Sequence, residues 1–194
     1  MSDVTFELRS YWTKTHLGIA GPAGPFGEVS TRESRPRLRS KLQLPYQGVE
    51  LLGDAMPEAA YRSPGTKTEC TPDSTLTVDG VAAEFDFNRR ALRNTSRALH
   101  IAWGERRYTY TVLRVFRSFA LERDGVRVAF QERTEGKERV HAGSMTGAAD
   151  AVDLAIAVLL QRVDTSALTS VGAVSMALDA VFSRGSGEPV DCSD

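Results

Sequence analysis

Eight arginines fall between positions 89 and 117 (Arg89, Arg90, Arg93, Arg97, Arg106, Arg107, Arg114 and Arg117) against a single acid, Glu105. This local charge of +7 leaves −8 for the remainder of a chain whose total is −1. A guanidinium presents a planar fork of donors that matches phosphate and carboxylate groups. The interleaved Trp103, Tyr108, Tyr110 and Phe116 offer faces on which bases can stack. The chemistry indicated is binding of an anionic partner: a lipid headgroup, a nucleic acid or an acidic protein. Strand alternation separates Arg107 and Arg117 from Arg106 and Arg114, so the candidate binding set is Arg89, Arg90, Arg93, Arg97 and Arg107. The competing account carries more weight: arginines fill solvent-facing strand positions and pair with the acids of 132–138.

Catalytic and metal chemistry find less support. His16, His100 and His141 lack a second ligand at metal spacing. Glu84 and Asp86 share a strand face, as an acid–base pair would, but a solvated edge accounts for them more simply. In Gly143-Ser144-Met145-Thr146-Gly147 the serine comes one place early for a nucleophile elbow. Capping of a following helix by Ser144 or Thr146 explains the run better. The glycine-rich stretch 18–27 lacks the Gly-Lys-Ser/Thr ending of a phosphate loop. A second basic stretch, 32–41, reads as a solvated arm. Cys70 and Cys192 lack metal-type spacing and, without an apolar leader near Met1, read as free thiols of a reducing cytosol. No catalytic residue, metal or cofactor is assigned.

The elements that must position these residues are legible in the turns. Asp124-Gly125, read as a primed turn, sets Leu121 opposite Val128, Phe119 opposite Phe130 and Glu122 opposite Arg127. Gly104-Glu105 sets Ile101 opposite Tyr108 and Leu99 opposite Tyr110, and Asp79-Gly80 sets Val78 opposite Val81. Three registers that each match apolar to apolar define three hairpins.

A helix follows over 147–163. Its central ten residues, 151–160, carry one charge, Asp153, and are apolar on nearly every side. Such a helix must be surrounded, and it falls short of the roughly 20 apolar residues of a membrane span. No transmembrane segment is expected. Seven of eight prolines precede Asp73, which predicts a loop-rich first third with short strands over 4–9 and 38–44, packed as extra strands of the same sheet. An amphipathic helix over 170–182 and a disordered tail over 183–194 complete the chain. The expected fold is α+β: a mainly antiparallel β-barrel or strongly curved sheet built from hairpins, with a buried apolar helix and a second, C-terminal amphipathic helix. It forms one β-rich domain over 1–182.

The order of these elements, with Arg107-Tyr108-Thr109-Tyr110, then 119–125 and a late hydrophobic helix, resembles the tubby C-terminal-like superfamily. That group includes the LURP-one-related and scramblase-like proteins. The resemblance covers about 75–163 and implies a closed barrel threaded by a hydrophobic helix. A pleckstrin-homology-like barrel is the competing analogy, and neither fixes a function. The expectation is a non-enzymatic interaction or structural module with a protein partner, a cytoplasmic subunit of a larger bacterial assembly. The alternatives are an anionic-surface binding module using 89–117, and a ligand-carrying or hydrolytic barrel.

Overall fold

The computed structural model describes residues 3–34, 46–65, 68–87, 98–114 and 118–169. The strand expected over 38–44, the helix over 170–182 and the tail over 183–194 lie outside the described residues. Twelve antiparallel strands close into a barrel. They are β1 (Val4–Trp12), β2 (His16–Pro22), β3 (Glu28–Ser34), β4 (Tyr46–Leu52), β5 (Ala59–Pro64) and β6 (Thr75–Val78). The second half comprises β7 (Val81–Phe87), β8 (Leu99–Trp103), β9 (Arg106–Arg114), β10 (Ser118–Arg123), β11 (Val126–Glu135) and β12 (Glu138–Gly147). Each strand pairs with its neighbours in sequence, and β1 pairs with β12 to complete the ring.

All three hairpin registers are as the turns dictate: Leu121 faces Val128, Ile101 faces Tyr108, and Val78 faces Val81. At Asp79-Gly80 both residues have positive φ, as a primed turn requires. The Asp124-Gly125 turn differs, because only Gly125 has positive φ. A two-residue loop fixes the register there even though the turn is not of the expected type. The first third is more regular than its prolines suggest. It contributes five strands, with Pro22 and Pro64 at strand ends and Pro25 in a 3-10 turn, where a missing N–H costs little.

The helix α1 (Ala151–Leu160) lies inside the barrel. Leu154 through Leu160 are each 2% exposed or less. Inward-facing Tyr61, Tyr108, Tyr110, Phe6, Phe119 and Phe130 fill the space around it. The helix is shorter than 147–163, and neither Ser144 nor Thr146 caps it. Both belong to β12, which runs on to Gly147. The two glycines of that run have packing reasons. A side chain at Gly143 would strike the Phe6 ring, and one at Gly147 (φ +79°) would strike the carbonyl of Gly125. No helix among the described residues is long and apolar enough to cross a membrane.

Candidate functional site

The helix gives the barrel two unlike mouths. At its N-terminus, Asp150 supplies the cap: its carboxylate accepts from the N–H groups of Val152 (3.0 Å) and Asp153 (3.1 Å). The Asp153 carboxylate accepts in return from the Asp150 N–H at 2.9 Å, a reciprocal capping box. Asp153 is fully buried and is gripped by both arms of Arg123, at 2.7 and 2.8 Å. The Tyr108 hydroxyl donates to it at 3.0 Å, and Arg106 bridges it to Asp150. Burial pushes the Tyr108 phenol up to about 12. Burial also works against ionisation of Asp150, but the Arg106 hydrogen bond and the helix N–H groups outweigh it and hold the carboxyl below its usual range. Both Asp153 oxygens are taken up by protein donors. This mouth anchors the helix.

The opposite mouth is built from strands that outrun the core. The inward phase of Val128 and Phe130 on β11 continues to Glu132, that of Met145 and Gly143 on β12 to His141, and that of Phe6 and Leu8 on β1 to Ser10. Closure of β1 on β12 brings His141 opposite Leu8, and the β11–β12 ladder sets it opposite Glu132. Gln161, the first residue past α1, completes the group: its amide N–H donates to His141 Nδ1 at 3.1 Å, while His141 Nε2 lies 3.2 Å from Ser10 Oγ. With Nδ1 accepting, the ring proton sits on Nε2 and is donated to Ser10.

His141 is 2% exposed, and burial, followed by the charges of Arg162 and Arg139, pushes its pKa down to about 4. The imidazole is therefore neutral at pH 7. The Glu132 carboxylate 3.9 Å away is a close neighbour but not an ion-pair partner. A hydroxyl, an imidazole and a carboxylate in this order have the outline of nucleophilic machinery. An imidazole that takes a proton only near pH 4 is a weak general base at neutrality, and an amide, not the carboxylate, holds its Nδ1.

A cleft of about 990 Å³ opens around this group, lined by Glu132, Arg133, Arg139, His141, Gln161 and Arg162 among others. Two buried polar atoms of these residues, Gln161 Oε1 and Arg162 Nε, have no hydrogen-bond partner among the described residues. An unsatisfied buried group costs about 1–3 kcal/mol, so these two atoms, closed to the cleft, leave the helix exit locally destabilised. Their backbone is fixed: Asp164 N–H donates to the Thr68 carbonyl at 2.7 Å and Cys70 N–H to the Asp164 carbonyl at 3.0 Å, tying the helix exit to the β5–β6 connection. Arg162 itself reaches Glu33 at 3.3 Å.

The buried neutral His141 carries a pH prediction. Its folded pKa lies below its unfolded value, so between the two the unfolded chain binds more protons and stability falls as pH falls. The penalty should begin near pH 6.5 and be complete near pH 4, amounting to roughly 3 kcal/mol. Urea unfolding at pH 7, 5.5 and 4.5 should show this slope, and H141Q, which cannot titrate, should flatten it. An equal slope in H141Q would assign the pH dependence to carboxylates.

Of the residues singled out by sequence, Arg89, Arg90, Arg93 and Arg97 lie outside the described residues. Arg107 faces outward on β9, where its guanidinium donates to the carbonyls of Gly104 (3.0 Å) and Arg106 (3.1 Å) of its own turn. Arg106 turns inward to the helix cap and is separated from Arg107, as alternation requires. Glu84, Asp86 and His100 are exposed, and among the described residues no three His, Cys, Asp or Glu side chains are grouped to hold a metal ion. Sequence reasoning missed Ser10, Glu132, Gln161 and Arg162. Comparison with known proteins finds no matching family model, no matching curated protein and no matching solved structure.

Proposed function

We propose that this protein is a non-enzymatic interaction module and that a protein partner docks at the barrel mouth around the C-terminal end of α1. The observation that carries the reading is the cleft of about 990 Å³ at this mouth, lined by charged side chains of both signs from β11, β12 and the helix exit. The charge of the cleft supports a protein over a phosphate-rich surface. Arg133, Arg139 and Arg162 face Glu132 and Asp164 there, and Arg133 is already engaged by Glu7 and Glu135. The interior is occupied by α1, which favours docking at the mouth over carriage of a ligand in the lumen. Twelve strands followed by an apolar helix also support the proposed kinship with tubby C-terminal-like barrels. An experimental structure with α1 outside the barrel would end that kinship.

Photo-crosslinking in the source cells tests the docking site. A photoreactive residue at position 134, on the cleft rim, should give a discrete adduct that the double variant Gln161→Ala/Arg162→Ala loses. The same residue at position 81, exposed on β7, should not give that adduct. Identical adducts from both positions, or an adduct indifferent to the double variant, would overturn the assignment.

A further inference from the structure

A groove of about 570 Å³ crosses the outer wall of the barrel, over β9, β10, β11, β12 and β1. The outward positions along its middle are small: Ala129 on β11, Ala142 and Ser144 on β12, and Thr5 on β1. Strand pairing sets three of them in one row, since Ala129 faces Ser144 and Ser144 faces Thr5. The two charged residues of the groove, Glu7 and Arg133, are paired with each other. Leu113 forms the end on β9 and is 50% exposed. An apolar side chain left half in water beside a shallow groove gains from being covered.

The chain itself carries a segment of matching shape. Leu168 packs in the core and Thr165 lines the cleft at the mouth, so the chain is at that rim when the described residues end at Thr169. The cleft shares Ser118, Phe119, Gln131 and Arg133 with the groove, so one leads into the other. The next thirteen residues, 170–182, read as a helix with Val171, Val174, Leu178, Val181 and Phe182 on one side. At helical spacing these five fall within an arc of about 100°, and the single charge, Asp179, lies outside it. Thirteen helical residues span about 20 Å. The groove crosses five strands, and four spacings of about 4.8 Å make about 19 Å. Length and pattern both fit one helix laid across the wall.

We infer that residues 170–182 pack as a helix on the outer wall of their own barrel, with Val174, Leu178 and Val181 in the groove against Leu113, Ala129 and Ala142. The small residues of the floor let a helix approach the sheet closely, and the pair Glu7–Arg133 leaves no free charge for it to bury. A tethered segment meets a neighbouring groove at an effective concentration in the millimolar range, which favours the same chain over a second molecule. The inference goes beyond the docking reading and does not depend on it.

The test uses the full chain carrying Cys192→Ser, with Cys70 buried. Leu113→Cys should react with a water-soluble maleimide at least tenfold faster once Val174→Asp and Leu178→Asp are added. Val81→Cys, exposed on β7 away from the groove, should react at the same rate with and without them. An unreactive Cys70 throughout reports that the barrel is intact. Mild oxidation of Leu113→Cys/Leu178→Cys should close a disulfide within the chain, and oxidation of Val81→Cys/Leu178→Cys should not. A Leu113→Cys rate indifferent to the two aspartates, or disulfides that form equally from positions 113 and 81, would overturn the inference. Disulfides only between chains, with labelling that slows as protein concentration rises, would give the groove to a second copy and overturn packing within one chain. None of these readouts involves Gln161 or Arg162, so the docking site stands or falls on its own crosslinking test.

Discussion

Ile156→Asp should leave no folded protein. Ile156 is fully buried at the middle of α1, which packs against β4, β5, β6, β10 and β11. An unpaired carboxylate there costs several kcal/mol, to which is added the lost burial of the side chain, about 1.5–3 kcal/mol. Together these approach the whole stability of an ordinary domain, about 5–15 kcal/mol. Asp153, one turn earlier on the same helix, shows what makes such a charge tolerable: both of its oxygens meet Arg123, with Arg106 and Tyr108 beside them. Ile156 belongs instead to the core cluster of buried hydrophobic side chains, which contains no charged group. Ile156→Val, by contrast, should cost about 0.5–1.5 kcal/mol and stay folded. Solubility, far-UV circular dichroism and thermal melting compare the two. A soluble Ile156→Asp protein with an unchanged midpoint would mean that α1 is not enclosed.

The parts of this fold that were legible in sequence are those fixed by local rules. A two-residue loop leaves one pairing for the flanking strands, so Leu121–Val128 and Ile101–Tyr108 could be read without knowing the barrel. A helix with one charge in ten residues has to be enclosed, and it is. The start of the helix was harder, because a run of glycine and small polar residues reads as loop. Gly143 and Gly147 are instead places where Phe6 and the Gly125 carbonyl come too close for a side chain, a tertiary fact with no local signature. The mouth was illegible for the same reason. Ser10, Glu132, His141 and Gln161 come from three strands and the helix exit and meet only when β1 closes on β12. One signal was available. Glu132 continues the phase of Val128 and Phe130, and His141 that of Met145, so polar residues in an apolar phase announce where the strands leave the core. Of the arginines in 89–117, Arg106 turns inward, where with Arg123 it neutralises the helix cap, and Arg107 faces outward, the separation that strand alternation announces.

That inward pair sets the second large effect: Arg123→Ala should cost about 3–5 kcal/mol, because it leaves a fully buried carboxylate short of its main partner. Arg106 at 3.4 Å and the Tyr108 hydroxyl at 3.0 Å remain, which places the expected loss toward the lower end of that range. Arg123 also donates to the Ala148 carbonyl at 3.3 Å, so its removal loosens the link between β12 and α1 as well. The reverse truncation, Asp153→Ala, should be milder, roughly 1–3 kcal/mol. It deletes the capping box, but it strands an arginine whose side chain is 20% exposed and can reach water. The asymmetry comes from burial, since the acid has no route to solvent and the base has one. A double change to apolar residues, Arg123→Leu/Asp153→Leu, should recover part of the loss, as replacement of buried ion pairs by packed hydrophobes often does. Urea unfolding of the unaltered protein, Arg123→Ala, Asp153→Ala and Arg123→Ala/Asp153→Ala closes the cycle and reads the coupling directly. Equal losses in the two single variants, summing in the double, would show that the pair is not coupled and that the helix is held by packing alone.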